Sequence, residues 1–271
     1  MEKNYLLNAI IGDAAGSIYE FNRIKVKPDT LVNMRCHVTD DTAMTIAIAE
    51  ALMTDMDFAA HMRKWGNLYP HLGYGGRFIR WIDDLSMGPY NSFGNGSAMR
   101  VSACGWMKEH PVTLAEKSAE VTHNHPEGIK GAKVVAEIIS VLRRKVRMDH
   151  NKADDLKDAA KIIMSRYYPT YDWNISLDER RTDYGFDETC QGSVPQSIQC
   201  VLEADSYEDA LKLAISMGGD SDTMACISGS IAGVIWEKPD YLVKWVKKLM
   251  PKDMLKVADD FDKFIDEDSS I

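Results

Sequence analysis

The sequence predicts an all-α protein. Three observations carry that expectation: apolar residues recur at helical spacing along most of the chain, strand-like alternation is nearly absent, and no glycine-rich turn follows a strand in the βαβ rhythm of a parallel sheet. Met44, Ala47, Ile48, Ala51 and Leu52 stand at i, i+3, i+4, i+7 and i+8, one face of a helix. Met224, Ile227, Ile231, Val234 and Ile235 follow nearly the same spacing. A helix over Lys130–Arg144 turns Ala132, Val135, Ile138, Ile139 and Leu142 inward, and one over Ser206–Met217 opens on a serine cap. Tyr241–Met250 and Met254–Phe264 close the chain with two more amphipathic helices. The alternation near Ile24–Val32 is short and holds a proline, so it counts little as a strand. Arg77–Arg100 and Tyr167–Gln196 read as long loops, which in compact proteins are often functional.

Composition narrows the function. The 271 residues, 45% of them hydrophobic, suffice for a substantial core, and the net charge of −9 disfavours a nucleic-acid partner. Five scattered cysteines without C-x-x-C spacing read as free thiols in a reducing compartment, not as disulfides or a zinc site. The opening residues lack the features of a signal peptide, and no apolar run reaches the roughly 20 residues of a membrane span. A cytoplasmic location is therefore expected. The six tryptophans read as core and rim residues.

Two acidic clusters carry the chemistry. Thr39-Asp40-Asp41-Thr42 and Asp220-Ser221-Asp222-Thr223 each stand at the mouth of an apolar helix. Either cluster alone is met by ordinary helix capping. A cap needs one side chain, however, and each cluster supplies two carboxylates with hydroxyls beside them. Adjacent carboxylates raise one another's pKa unless a cation is present. Their hard oxygen donors suit magnesium, manganese or calcium, not zinc or copper, and two ions sharing carboxylates would suit hydrolysis. Glu20 is a further candidate, against the simpler reading of an exposed helix-end glutamate.

Ser92-Phe93-Gly94-Asn95-Gly96-Ser97 offers backbone N–H groups that can cradle phosphate, with Phe93 available to stack on a base, though plain turns look similar. Thr122-His123-Asn124-His125-Pro126 reads as a polar segment before a helix, in which one histidine can contact a ligand. There is no G-x-S-x-G and no H-E-x-x-H.

Taken in order, Gly12-Asp13-Ala14-Ala15-Gly16 with Glu20, Thr39-Asp40-Asp41-Thr42, Gly94-Asn95-Gly96-Ser97-Ala98-Met99-Arg100, Thr122-His123, Cys190-Gln191-Gly192-Ser193-Val194-Pro195 and Gly218-Gly219-Asp220-Ser221-Asp222-Thr223 resemble the ADP-ribosylglycohydrolase family. The resemblance spans nearly the whole chain. It implies a single domain over residues 1–271, an orthogonal helical bundle with a binuclear magnesium centre in a cleft, manganese being a possible substitute. Thr39, Asp40 and Asp41 would hold metal from one side, and Asp220, Asp222 and Thr223 from the other. Ser92, Phe93, Gly94, Asn95 and Gly96 would embrace the diphosphate and adenine, and His123 would contact the ADP-ribose. Asp41 or Glu20 would act as acid/base during hydrolysis of the bond between ADP-ribose and its acceptor. Arginine-linked ADP-ribose is favoured over serine-linked or O-acetyl-ADP-ribose. The competing expectations are a magnesium-dependent phosphohydrolase acting on a nucleotide and a non-catalytic ADP-ribose-binding or crystallin-like protein. The partner is then an ADP-ribosylated protein or small conjugate, and the sequence carries no signal for oligomeric state.

Overall fold

Helical periodicity along the chain becomes fifteen helices among the described residues, 3–149 and 152–268, of a computed structural model. The first half contains α1 (Leu7–Gly16), α2 (Asp40–Met53), α3 (Phe58–Leu68), α4 (Gly76–Asp83), α5 (Gly96–Met99), α6 (Ser102–Trp106), α7 (Pro111–Glu120) and α8 (Pro126–Asp149). The second contains α9 (Ala153–Tyr167), α10 (Leu177–Asp183), α11 (Cys190–Glu203), α12 (Tyr207–Ser216), α13 (Ser221–Ile235), α14 (Asp240–Leu249) and α15 (Lys252–Asp268). No strand occurs among the described residues; Ile24–Val32 is irregular, and one isolated antiparallel bridge joins Gly94 to Thr189.

The two stretches expected to be loops are partly helical. In Arg77–Arg100, the residues Phe78, Trp81 and Ile82 are buried at i, i+3 and i+4 of α4, a period masked by the surrounding glycines and serines. Within Tyr167–Gln196, α10 is nucleated by a capping box: the Ser176 hydroxyl accepts from Glu179 N, and the Glu179 carboxylate accepts from Ser176 N at 2.9 Å. Further on, Thr189 caps α11, which continues through Pro195.

The helices enclose one contiguous apolar core. Helix α1 is buried along its whole length, as is α13 from Ser221 to Ala232. A helix with no solvent face must be packed on all sides, and α13 is covered by α1, α11 and α12. Small residues permit the close crossing of α1 and α13. A Cβ added to Gly12 would lie 2.0 Å from the Ala225 carbonyl oxygen, and one on Gly16 would lie 2.4 Å from the Asp222 Cα. Backbones this near bring the C-terminal half of α1 level with the start of α13, which is where the acidic residues stand.

Gly12→Ala should therefore force the two backbones apart. The expected cost is about 2–3 kcal/mol of unfolding free energy, measured by urea denaturation.

Candidate metal centre and ligand cleft

Two N-terminal helix ends, of α2 and α13, meet the C-terminal half of α1 at the floor of a cleft of about 500 Å³. Of the site residues expected from the sequence, Glu20, Asp40, Asp41, Ser92, Phe93, Gly94, Asn95, Gly96, His123, Asp220, Asp222 and Thr223 all line this cleft. Thr39 does not; it is buried beneath the floor, where its hydroxyl donates to Asp13 Oδ1 at 2.7 Å. The two acidic clusters, 182 positions apart, touch: the Thr223 hydroxyl donates to Asp41 Oδ2 at 3.3 Å.

Capping does not account for the acids. At α2 the capping side chain is the Thr39 hydroxyl, which accepts from Asp41 N at 3.3 Å. Asp13 completes that helix end by accepting from Thr39 N at 3.0 Å and Thr42 N at 3.2 Å, and from the Thr42 hydroxyl. At α13 the N-cap position is Asp220, yet its side chain makes no capping bond. Instead Asp220 Oδ2 accepts from Asn95 Nδ2 at 2.7 Å. Asp40, Asp41, Asp220 and Asp222 are thus left over after both helix ends are served.

Three of these carboxylates, with Asp13 and Glu20, are arranged as two triads. Ligand oxygens of Asp13, Asp41 and Asp222 lie within 4.8 Å of one another, and so do those of Glu20, Asp220 and Asp222. Asp222 belongs to both. Asp40 is outside either triad and faces the cleft. Asp41 Oδ1 and Asp222 Oδ1 are buried with no hydrogen-bond partner, although an unsatisfied buried polar atom costs about 1–3 kcal/mol and a charged one more. No lysine or arginine among the described residues pairs with these acids.

Their titration reflects this crowding. Burial, followed by the charges of Asp13, Asp40 and Asp220, holds the Asp41 carboxyl well above the usual range. Burial and then Asp220, Asp41 and Glu20 do the same to Asp222. Asp40 is raised by its low-dielectric surroundings and by Asp13 and Asp220. Half-buried Glu20 is pushed up to about 7 by burial, then by Asp220 and Asp13. An oxygen-rich, anionic pocket with orphaned acceptors and a shared central carboxylate fits one or two hard divalent cations.

The rim is built from the glycine loop. Asn95 N donates to Glu188 O and Cys190 N to Phe93 O, each at 2.8 Å, so the loop is stitched to the residues before α11. Phe93 is 45% exposed and meets His125 edge-on, with ring centroids 5.3 Å apart, which leaves a face for a ligand ring. His123 is buried, and its Nδ1 pairs with the Thr122 hydroxyl at 2.8 Å. Burial and then the Arg100 charge push its pKa well down, so it stays neutral. A Cβ on Gly96 would stand 3.1 Å from His123 Nε2, so glycine keeps that nitrogen close under the loop. Tyr90, Arg77, Phe186 and Glu188 also line the cleft, without any sequence motif to mark them. Asp13 had a usable signal: it is the one acid in a helix otherwise made of apolar and small residues and Asn8.

The site is a carboxylate-floored cleft with a glycine-loop rim, set in an all-helical scaffold. The sequence signature of the ADP-ribosylglycohydrolase family matches residues 3–269. The chain belongs to that family, whose members hydrolyse glycosidic bonds to ADP-ribose. It is 25% identical to mouse (Mus musculus) ADP-ribosylhydrolase ARH3, covering 89% of this chain and 85% of that one. It is 22% identical to ADP-ribosylarginine hydrolase Tri1 of Pseudomonas putida, covering 91% and 73%. A solved chain described as an ADP-ribosylglycohydrolase-related protein complex superposes with a TM-score of 0.66 at 19% identity, over 97% of this chain and 98% of that one, and so shares the fold. No helix among the described residues is long and apolar enough to cross a membrane.

The raised carboxylate pKa values have a definite sign in stability. Folded-state values above the unfolded ones stabilise the metal-free protein below about pH 4, the unfolded carboxylate range. The Glu20 part of that contribution is lost as pH rises through about 7, and the parts of Asp40, Asp41 and Asp222 as pH rises through their own raised values. A cation that neutralises the cluster reverses the loss. The rise in Tm produced by saturating magnesium over EDTA should therefore widen across this pH window. In Asp222→Asn the rise should vanish, while the EDTA Tm near pH 7 should go up.

Proposed function

We propose that this protein is a magnesium-dependent hydrolase that releases ADP-ribose from a modified acceptor, with arginine-linked ADP-ribose favoured. The observation that carries the reading is the convergence of Asp41, Asp220, Asp222 and Glu20, with orphaned oxygens, beneath a rim shaped for a ring and a diphosphate.

Asp40, Asp41, Asp220, Asp222 and Thr223 are the residues we assign to holding two magnesium ions, Thr39 supporting them through its bond to Asp13, and Asp13 and Glu20 join them by their places in the two triads. Bound there, the ions would neutralise the carboxylates and supply Lewis acidity beside the sugar. The chain's own groups do the rest. Backbone N–H groups of the Ser92–Gly96 loop receive the diphosphate, Phe93 stacks on adenine, and neutral His123 offers Nε2 to the ligand. Asn95 holds Asp220 in place through its 2.7 Å bond. These contacts fix the distal ribose so that its anomeric carbon lies over the carboxylates, and positioning of this kind supplies much of the rate. Glu20 or Asp41 takes the proton from the attacking water, whose oxygen bonds to the anomeric carbon as the bond to the acceptor breaks with oxocarbenium-like character; the acceptor nitrogen leaves with the bonding electron pair and receives the proton.

The preference for arginine follows from the negative charge of the cleft. Glu188 lines it together with Glu20, Asp220 and Asp222, a concentration of carboxylates suited to a guanidinium. The name of the Pseudomonas relative, an ADP-ribosylarginine hydrolase, supports the same choice. Buried, unpaired cysteines fit a reducing compartment such as the cytoplasm.

A panel of arginine-, serine- and O-acetyl-linked ADP-ribose, assayed with magnesium and with EDTA, tests the reading. ADP-ribose release from the arginine conjugate, abolished by EDTA, is expected; phosphate release from nucleotides without ADP-ribose release would replace it with a phosphohydrolase. On the arginine conjugate, Glu20→Gln should lower kcat by about 10²–10⁴. Phe93→Ala should act mainly on KM, raising it roughly tenfold.

A further inference from the structure

Arg100, Thr122 and His123 form a hydrogen-bonded row beneath the glycine loop, and the row ends at the ligand cleft. Arg100 is 1% exposed, and its Nη2 donates twice, to Ser118 O in the last turn of α7 and to the Thr122 hydroxyl, each at 2.9 Å. The carbonyl end of a helix favours a cation, which holds the guanidinium against α7. The wholly buried Thr122 hydroxyl also meets His123 Nδ1 at 2.8 Å. The other ring nitrogen, Nε2, has no protein partner among the described residues and is open to the cleft. It stands under the loop: Cβ atoms added to Gly94 and Gly96 would lie 3.5 and 3.1 Å from it.

Proton accounting decides what Nε2 presents. A guanidinium only donates, so its bond uses a lone pair of the Thr122 oxygen. That hydroxyl has a single proton, and its neighbouring acceptor among the described residues is His123 Nδ1. A proton on Nδ1 instead would leave the hydroxyl hydrogen unpaired in a buried place, which native structures avoid. It would also aim the positive end of an N–H dipole toward Arg100. Turning the ring over would set a carbon against the hydroxyl and orphan it again. Burial and then the Arg100 charge keep the ring neutral, so it carries one N–H proton.

We propose that Thr122, anchored by Arg100, is a positioning residue that fixes His123 in its Nε2–H form, so that the ligand atom facing Nε2 is an acceptor, a phosphate oxygen of the diphosphate. The identity of that atom rests on the reading of the Ser92–Gly96 loop as the diphosphate cradle; the tautomer does not. His123 then presents no lone pair to the cleft and cannot serve as the base, which leaves that role to Glu20 or Asp41.

Long-range proton–nitrogen NMR correlation of the histidine rings, in the full chain with magnesium, reads the tautomer directly. His123, one of seven histidines, is assigned by the signal lost in His123→Gln. Expected without ligand are a pyridine-like Nδ1 and a pyrrole-like Nε2. The Nδ1–H form, an imidazolium, or averaging of the two tautomers would overturn the proposal. In Thr122→Val, with circular dichroism confirming the fold, the tautomers should mix and the calorimetric affinity for ADP-ribose should fall roughly tenfold; Thr122→Ser should restore both. A threonine that serves packing alone would leave the tautomer unchanged in folded Thr122→Val, and that result would also overturn the proposal. ADP should move the Nε2–H resonance downfield and adenosine should not; equal shifts would remove phosphate as the acceptor. Absence of ADP-ribose binding by the wild-type chain would sink the proposed function, while the ligand-free spectrum still decides the tautomer.

Discussion

Burying carboxylates without counter-charge is among the most expensive things a protein can do. Here Asp13, Asp41, Asp220 and Asp222 are all less than a tenth exposed, and no lysine or arginine among the described residues reaches them. Asp13 is compensated by four hydrogen bonds from Thr39 and Thr42. Asp220 has its bond from Asn95, whereas Asp41 and Asp222 each keep an oxygen with no partner. Helix N-termini of α2 and α13 supply part of the positive potential, but an end of a helix carries only about half a charge. A divalent cation is the compensation that matches both the number and the hardness of the remaining oxygens.

The rest of the scaffold can be understood as the means of holding that cluster. The glycine contacts between α1 and α13 set Asp13 beside Asp222. Asp13 in turn grips the first turn of α2, which fixes Asp41. A loop far away in sequence, Ser92–Gly96, is pinned by its bonds to Glu188 and Cys190 and delivers Asn95 to Asp220. One buried helix crossing thus determines where three separate segments place their polar side chains, and the cleft is the space they enclose.

Much of this was legible in the sequence, because the helical period and the doubled acidic clusters both have direct physical causes. Helices α2, α8, α12, α13, α14 and α15 were marked by their spacing. The acids stood out because two carboxylates exceed what a helix end requires. Helix α10 was obscured although Ser176 and Glu179 form a capping box, since prolines, glycines and charges around it suggested a loop. Helix α4 was hidden similarly, its short Phe78, Trp81, Ile82 face being set among glycines. Asp13 enters the sequence reading only within the family segment Gly12–Gly16, although its isolation as the one acid in a helix of apolar and small residues and Asn8 is a usable signal of its own. Arg77, Tyr90, Phe186 and Glu188 reach the cleft through tertiary packing alone, which no local pattern encodes.

The central claim is that the buried carboxylates are a cation site. Anomalous diffraction from crystals soaked in manganese addresses it most directly, because it locates the ions without reference to activity. The account predicts two peaks, one among Asp13, Asp41 and Asp222 and one among Glu20, Asp220 and Asp222, with Asp222 contacting both. A well-ordered cluster with no anomalous density between its oxygens at saturating manganese would contradict it.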